Sequence, residues 1–196
     1  VVARGLIRFV SYTTDLVCAE RLGPAEQDIA IAYTDLARLA IHQLGRLGTR
    51  DGVPVILAAI ECLDRPGFRR LFQPAQALAA LGRIGDDRAV PLLLRYVQSQ
   101  EVYVRRAIGP GELVVQTVGD TALFALLRIY GLPPEAVGFY VGPDQNPITG
   151  FVDDAVRRAA VQAFMSWHSQ NANRSPDARL PLTTQPTVPT HGAVEP

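Results

Sequence analysis

The chain has 196 residues, a formal net charge of zero, and 19 arginines without a single lysine. This length can bury the core of one domain or of a short repeat array. Zero net charge argues against a general nucleic-acid binder, which clusters cations against phosphate. The lack of lysine excludes a Schiff base, a P-loop lysine and a lysine general base. Two cysteines and three histidines exclude zinc ribbons and fingers, and no apolar run reaches the roughly 18–20 residues of a membrane helix.

The N-terminal part of the chain predicts two helices. The first is expected over 5–22, because Gly23-Pro24 would end it. The second is expected over 25–47, where apolar residues recur with a period of 3.6.

An internal repeat follows, with an offset of 37 residues between 44–57 and 81–94. Both segments contain a Leu-Gly-Arg triplet, a second glycine and a Val-Pro dipeptide, so chance similarity is a poor explanation. The positions shared after the triplet are Gly48 with Gly85 and Pro54 with Pro91.

Each repeat has the pattern of two short antiparallel helices. In the second copy, 75–84 is rich in Ala and Leu and predicts a helix that begins at Pro74. Gly85 can adopt the left-handed conformation that ends a helix, and Asp86 can cap the next one. Pro91 then falls in the first turn of that second helix, where proline is tolerated.

Two later segments are interpreted as weaker copies. The segment 118–128 aligns with the second half of the unit and lacks its proline. The segments 104–108 and 156–164 resemble each other, which puts Arg105 and Arg157 at equivalent repeat positions. We expect both arginines to pair with turn carboxylates of a neighbouring unit, such as Asp86, Asp87 or Asp120. Gly109-Pro110-Gly111 is expected to break or kink the first helix of the third unit.

The run from Ala80 to Leu94 resembles the HEAT-like repeats first recognised in phycobilisome lyase proteins. The resemblance is good at 44–57 and looser at 104–130 and 156–167. It implies an all-α fold, a short α-α superhelix of about four helical hairpins. It implies almost nothing about function, because the signature residues serve packing and turns.

The predicted repeat domain covers 1–170 and contains an irregular, Gly- and Pro-rich insert at 131–152. A loop of this length in a compact array is usually functional or disordered. The tail 171–196 is rich in Asn, Ser, Thr and Pro, and is expected to be extended or disordered.

Aromatic and arginine residues, which dominate binding hot spots, give the candidate contacts to a partner. Alternatively, the same aromatic rings fold back and cover exposed helix ends. The candidates are Phe139, Tyr140 and Val141 in the insert, and Phe68, Arg69, Arg70 and Phe72 between the two repeats.

No metal, cofactor or catalytic site is predicted. His42, His168 and His191 lack the partners of a metal site, and the only suggestive polar set for a groove is Arg105, Arg106 and Arg158. Cys18 and Cys62 approach each other if the first helix packs on the third, although two buried free thiols are the commoner case. Trp167 is expected to close the core.

The sequence therefore favours a non-catalytic scaffold that binds a protein partner, such as an accessory subunit of a larger assembly. Association with a membrane surface through that partner stays open, and no nucleic-acid partner is expected. Two alternatives stay open. One is an enzyme or small-ligand binder that uses a concave groove, as a bilin lyase would. The other is a nucleic-acid module, which would bind with a steep salt dependence.

Overall fold

A computed structural model describes residues 1–18, 27–63, 73–110, 112–141, 149–174 and 182. Seven α-helices and two small antiparallel sheets occupy these ranges. The helices are α1 (Val2–Cys18), α2 (Gln27–Leu47), α3 (Val53–Leu63), α4 (Pro74–Ile84), α5 (Val90–Tyr96), α6 (Val118–Tyr130) and α7 (Asp154–Asn171). The strands are β1 (Val102–Gly109), β2 (Glu112–Thr117), β3 (Tyr140–Val141) and β4 (Thr149–Gly150).

Helices α2, α4 and α6 lie side by side in one row, and α1, α3 and α5 pack behind them. Small residues set the separation within the row. A methyl group at Gly45 would lie 2.7 Å from Cβ of Ala80, and one at Gly82 would lie 2.6 Å from Cβ of Ala125. The helix backbones therefore approach closely, as small residues at a helix interface allow. The described helices include none that is long and apolar enough to cross a bilayer.

The two predicted helix–turn–helix segments are present as α2–α3 and α4–α5, and the predicted turn residues lie at the helix ends. Gly85 adopts a φ of 70°, which ends α4, and the Asp86 side chain accepts a hydrogen bond from the Arg88 amide. Gly48 adopts a φ of 62° at the end of α2. Pro54 and Pro91 lie in the first turns of α3 and α5.

The prediction of an all-α fold is wrong between the second and third units. Residues 102–109 form β1, which pairs with β2 as a hairpin, and Gly109-Pro110 lies at its turn instead of breaking a helix. The segment is rich in Val, Ile and Tyr, which favour strands. Arg105 in a strand and Arg157 in α7 are therefore not equivalent repeat positions. The mostly helical fold is confirmed, and a superhelical course of the stack stays a prediction.

The alignment of the third copy is also corrected. Helix α6 lies beside α4, with Ala125 against Gly82, so α6 corresponds to the first helix of the unit and not to the second. In this register 122–129 matches 77–84, with a repeated Ala-Leu-x-Ala-Leu-x-Arg-Ile pattern. One extra residue, Tyr130, then precedes the glycine that ends the helix, Gly131.

The ends of the described chain are tied to the core. Cys18 of α1 and Cys62 of α3 form a disulfide with a Cα–Cα distance of 6.0 Å, which corrects the expectation of two free thiols. Trp167 is buried, as predicted. Most of the predicted tail lies outside the described residues, and Leu182 packs partly buried against the core. The division into a domain and a tail stays a prediction.

Candidate functional site: an arginine-lined groove

A groove of about 730 Å³ runs between the helix row and the hairpin. Its floor is the exposed face of α2, α4 and α6, and its roof is β1 with part of β2. The floor exists because the row presents one helix face per unit, and the roof exists because the hairpin inserts between the second and third units. Such concave surfaces are the usual binding sites of helical repeat proteins.

Arginine recurs at one position of every floor helix. In the corrected register, Arg46 of α2, Arg83 of α4 and Arg128 of α6 are equivalent. Arg83 and Arg128 line the groove itself. Because neighbouring helices in such a row lie roughly 8–10 Å apart, the repeat places like charges within reach of one another.

Arg83 is the central residue of this set. Its Nε–H is buried and makes no hydrogen bond within the described structure. Burial lowers the pKa of Arg83, and the positive charges of Arg128 and Arg46 lower it further. Burying a donor without an acceptor costs free energy, and burying a cation close to other cations costs more. This site is therefore suited to receive an anion.

The roof adds two more cations. Arg105 and Arg106 of β1 line the groove, and both are exposed. A hydrogen-bonded chain joins roof to floor: Arg38 Nη1 donates to Gln76 Oε1 at 3.1 Å, and Gln76 Nε2 donates to the Tyr103 hydroxyl at 3.2 Å. Within the described ranges, no acidic side chain lines the groove. Arg38 pairs with Asp35 at 3.4 Å, and Asp35 does not line the groove.

His42 lines the floor between these arginines. Burial lowers its pKa below 6.5, and the positive charges of Arg83, Arg46 and Arg38 act in the same direction. The imidazole is therefore neutral in the free groove near pH 7. It can take up a proton when an anion enters.

Among the described residues, those predicted to form a site do not line the groove, with one exception. Phe139 is only 5% exposed, and its ring lies 5.9 Å from that of Phe124 and 4.4 Å from that of Phe151, so it serves the core and is not offered to a partner. Tyr140 is half-buried, and Val141 pairs with Thr149 in the β3–β4 ladder. Phe68, Arg69, Arg70 and Phe72 lie outside the described residues.

The exception is the predicted polar set. Arg105 and Arg106 do line the groove, whereas Arg158 is exposed on α7 and takes no part in the lining. The expected pairing with a turn carboxylate is confirmed for Arg157, whose Nε lies 2.9 Å from Asp120 Oδ1.

Sequence reasoning missed Arg83, Arg128 and His42. The signal was present in the Leu-Gly-Arg triplet, whose arginine was interpreted as part of a packing motif. The third arginine was hidden because the third copy was aligned with the wrong helix.

The polar side chains that line the groove can bind an anion. They are guanidinium, amide, hydroxyl and imidazole groups, all of which can donate hydrogen bonds. No group of metal-ligating side chains occurs in the part of the chain that the structure describes. Such a site can hold and orient an acidic molecule.

Comparison with known proteins agrees with the row of helix pairs. Residues 31–109 match the family model of HEAT repeats, which covers α2 to β1. Residues 31–109 of the chain therefore form HEAT-like repeats. The resemblance noted in the sequence is thereby confirmed.

One curated relative adds a functional hint. The HEAT-like chain is 38% identical over 66 residues to the bilin biosynthesis protein PecE of Mastigocladus laminosus. The matched part is 34% of this chain and spans only 23% of the length of PecE. No solved structure matches.

Proposed function

We propose that this HEAT-like protein is a non-catalytic binding protein whose groove holds an organic molecule with acidic groups. The observation that carries the proposal is Arg83, a half-buried guanidinium with a buried Nε–H that lacks an acceptor and with two like charges beside it. A carboxylate offers the bidentate acceptor that such a fork prefers. Folding alone gives no reason to keep this cation in the groove.

The size and walls of the groove favour an extended molecule with a flat, apolar part. About 730 Å³ is within the usual range for sites that bind a small organic ligand. Tyr103 of the roof and Phe124 of the floor supply aromatic surface next to the arginines. PecE is described as a bilin biosynthesis protein. A bilin has carboxylates on a conjugated body and therefore fits this description.

Biliverdin and its dimethyl ester form a matched pair of probes, because the ester keeps the conjugated body and loses both acid groups. Biliverdin is expected to bind and to show induced circular dichroism in its absorption bands. Arg83→Gln is expected to weaken binding by about 10–100-fold, as for a lost hydrogen bond between charged groups. The ester is expected to bind equally weakly to the wild type and to the variant.

Arg158→Gln is the control, because Arg158 is an exposed arginine outside the groove. It is expected to leave both affinities unchanged. Equal binding of the acid and the ester, or equal effects of Arg83→Gln and Arg158→Gln, would show that the groove arginines do not recognise the acid.

The affinity for biliverdin is expected to rise by a few-fold as the pH falls from 8 to 6. The pKa of His42 is lowered in the free groove, and a bound carboxylate favours the imidazolium, so the pKa is higher in the complex and binding takes up a proton. Titrations across this pH range test the point. His42→Gln is expected to flatten the profile. His168→Gln is expected to leave it unchanged, because His168, whose pKa burial also lowers, does not line the groove.

A protein-interaction scaffold is the second candidate, and the repeat family supports it in general terms. The specific observation is a set of exposed apolar side chains on α2, which a partner could cover. The set consists of Ile31, Leu36, Leu39 and Leu47, which are 38–53% exposed. Tyr140, and the segment with Phe68, Arg69, Arg70 and Phe72, stay candidates for the same contact. A protein that binds no biliverdin would leave this candidate in place.

A further inference from the structure

Arg157 joins three elements that meet beside the groove. It lies in the first turn of α7 and is only 4% exposed. Its Nε donates to Asp120 of α6 at 2.9 Å, and its Nη2 donates to the Val115 carbonyl of β2 at 2.8 Å. Its Nη1 also bonds to Asp154 of its own helix. The guanidinium lies 5.7 Å from the centre of the Phe151 ring.

The strand residue that Arg157 binds is the one opposite Arg105. Val115 pairs with Arg105 across the hairpin, and Val114 pairs with Arg106. Val115 also exchanges two backbone hydrogen bonds with Phe151, which immediately precedes the α7 region. The position of Val115 therefore fixes the position of both roof arginines.

The outer part of the hairpin is exposed to solvent. Arg105, Arg106 and Ala107 are exposed, and the hairpin turn is exposed at Pro110. At the base of the hairpin, the Val118 amide donates to the Glu101 carbonyl at 2.8 Å, and Gln116 donates to Thr121 at 3.1 Å. Arg157 is a buried side chain that links the middle of β2 to α6 and to its own helix α7.

We propose that Arg157 is a positioning residue for the groove: by holding β2 against α6 and α7, it keeps Arg105 and Arg106 above the floor arginines. The inference rests on the proposed function, because the proposed acidic ligand is the molecule that the roof arginines would bind. It also makes α7 part of the binding apparatus, although α7 does not line the groove. A shift of α7 against β2 therefore changes the distance between the roof strands and the floor helices.

The planar fork of arginine is needed for this role. Asp120 and the Val115 carbonyl lie on different elements, and one guanidinium reaches both through fixed N–H directions. A lysine in its place keeps the positive charge beside Asp120 but has no second rigid arm for Val115. Arg157→Lys is therefore the informative variant, because it retains the charge that the buried carboxylate requires.

Hydrogen–deuterium exchange tests the structural half of the proposal. Arg157→Lys is expected to speed exchange in the hairpin, over 102–117, while exchange in α2 stays unchanged. Equal protection of the hairpin in the wild type and in the variant would overturn the proposal.

Biliverdin affinity tests the functional half. Arg157→Lys is expected to weaken binding by about 3–30-fold, the usual range for residues that act through another residue. In an Arg105→Gln/Arg106→Gln background the same change is expected to have no further effect. An equal loss in both backgrounds would overturn the proposal, because the role of Arg157 would then be merely structural.

The two proposals can fail separately. A wild-type chain that binds no biliverdin contradicts the proposed function, and the exchange measurement then decides alone whether Arg157 positions the hairpin. A chain that binds biliverdin through Arg83, with a hairpin indifferent to Arg157→Lys, contradicts only the present inference.

Discussion

Asp120→Ala is expected to lower the free energy of unfolding by about 3–5 kcal/mol, the usual cost of leaving one partner of a buried ion pair alone. Asp120 is 1% exposed and Arg157 is 4% exposed, so water cannot replace the lost carboxylate. Burial raises the pKa of Asp120, and the hydrogen bonds from the Thr117 amide and from Arg157 oppose this rise. The change also removes the capping box at the start of α6, in which Thr117 and Asp120 bond each other's backbone amides.

Asp86→Ala is the matched control for this prediction, measured by urea unfolding of both variants. Asp86 is also a buried turn carboxylate, and its side chain also binds a backbone amide and an arginine. However, the side chain of its partner Arg88 is 51% exposed, so water can solvate the cation once it is released. The expected cost is about 1 kcal/mol, as for the loss of a cap. Equal costs for the two variants would mean that burial of the arginine partner does not matter.

Gly82→Ala is expected to destabilise the protein by about 1–3 kcal/mol, although alanine is the better helix former. The new methyl group would lie 2.6 Å from Cβ and 2.7 Å from Cα of Ala125, so α4 and α6 would have to separate. Because both helices form the groove floor, biliverdin binding is expected to weaken in the same variant. Thermal unfolding and the probe titration measure the two effects.

The same substitution at Gly5, Gly5→Ala, is expected to change the stability in the opposite direction. Gly5 lies in α1, and a methyl group there would have no neighbouring atom within 4 Å. The change is expected to stabilise the protein by up to about 1 kcal/mol, because alanine loses less backbone entropy in a helix. If both variants shift the melting temperature in the same direction, the close contact between Gly82 and Ala125 is not the cause of the change in stability.

The part of the fold that the sequence predicts well is the part where local rules and packing agree. In α4 and α5 the Ala- and Leu-rich run, Gly85, Asp86 and Pro91 all indicate the same helix–turn–helix unit, and the structure has it. The hairpin was missed because 104–108 was compared with 156–164 by residue type alone. The content of Val, Ile and Tyr in 102–109 favoured a strand, and this local preference is stronger evidence than a short match.

The site was harder to predict for a physical reason. A Leu-Gly-Arg triplet looks the same whether its arginine points to solvent or into a groove. Only the neighbouring helices and the hairpin decide that Arg83 is half-buried while Arg46 stays exposed. The prediction that Phe139 contacts a partner was wrong for the opposite reason, since the residue is buried and not exposed. An aromatic residue in a Gly- and Pro-rich insert can cover the core as easily as it can contact a partner.

The close contacts in the helix row have a consequence for how such an array can grow. Gly45 and Gly82 occupy one position in successive units, and each lets the next helix approach within contact of a backbone. The same position in α6 is Leu127, whose side chain is fully buried. A copied unit placed after α6 would meet this leucine and could not dock at the same spacing. Gene duplication could therefore lengthen the array by inserting units ahead of α6, whereas growth beyond it would first require a small residue at position 127.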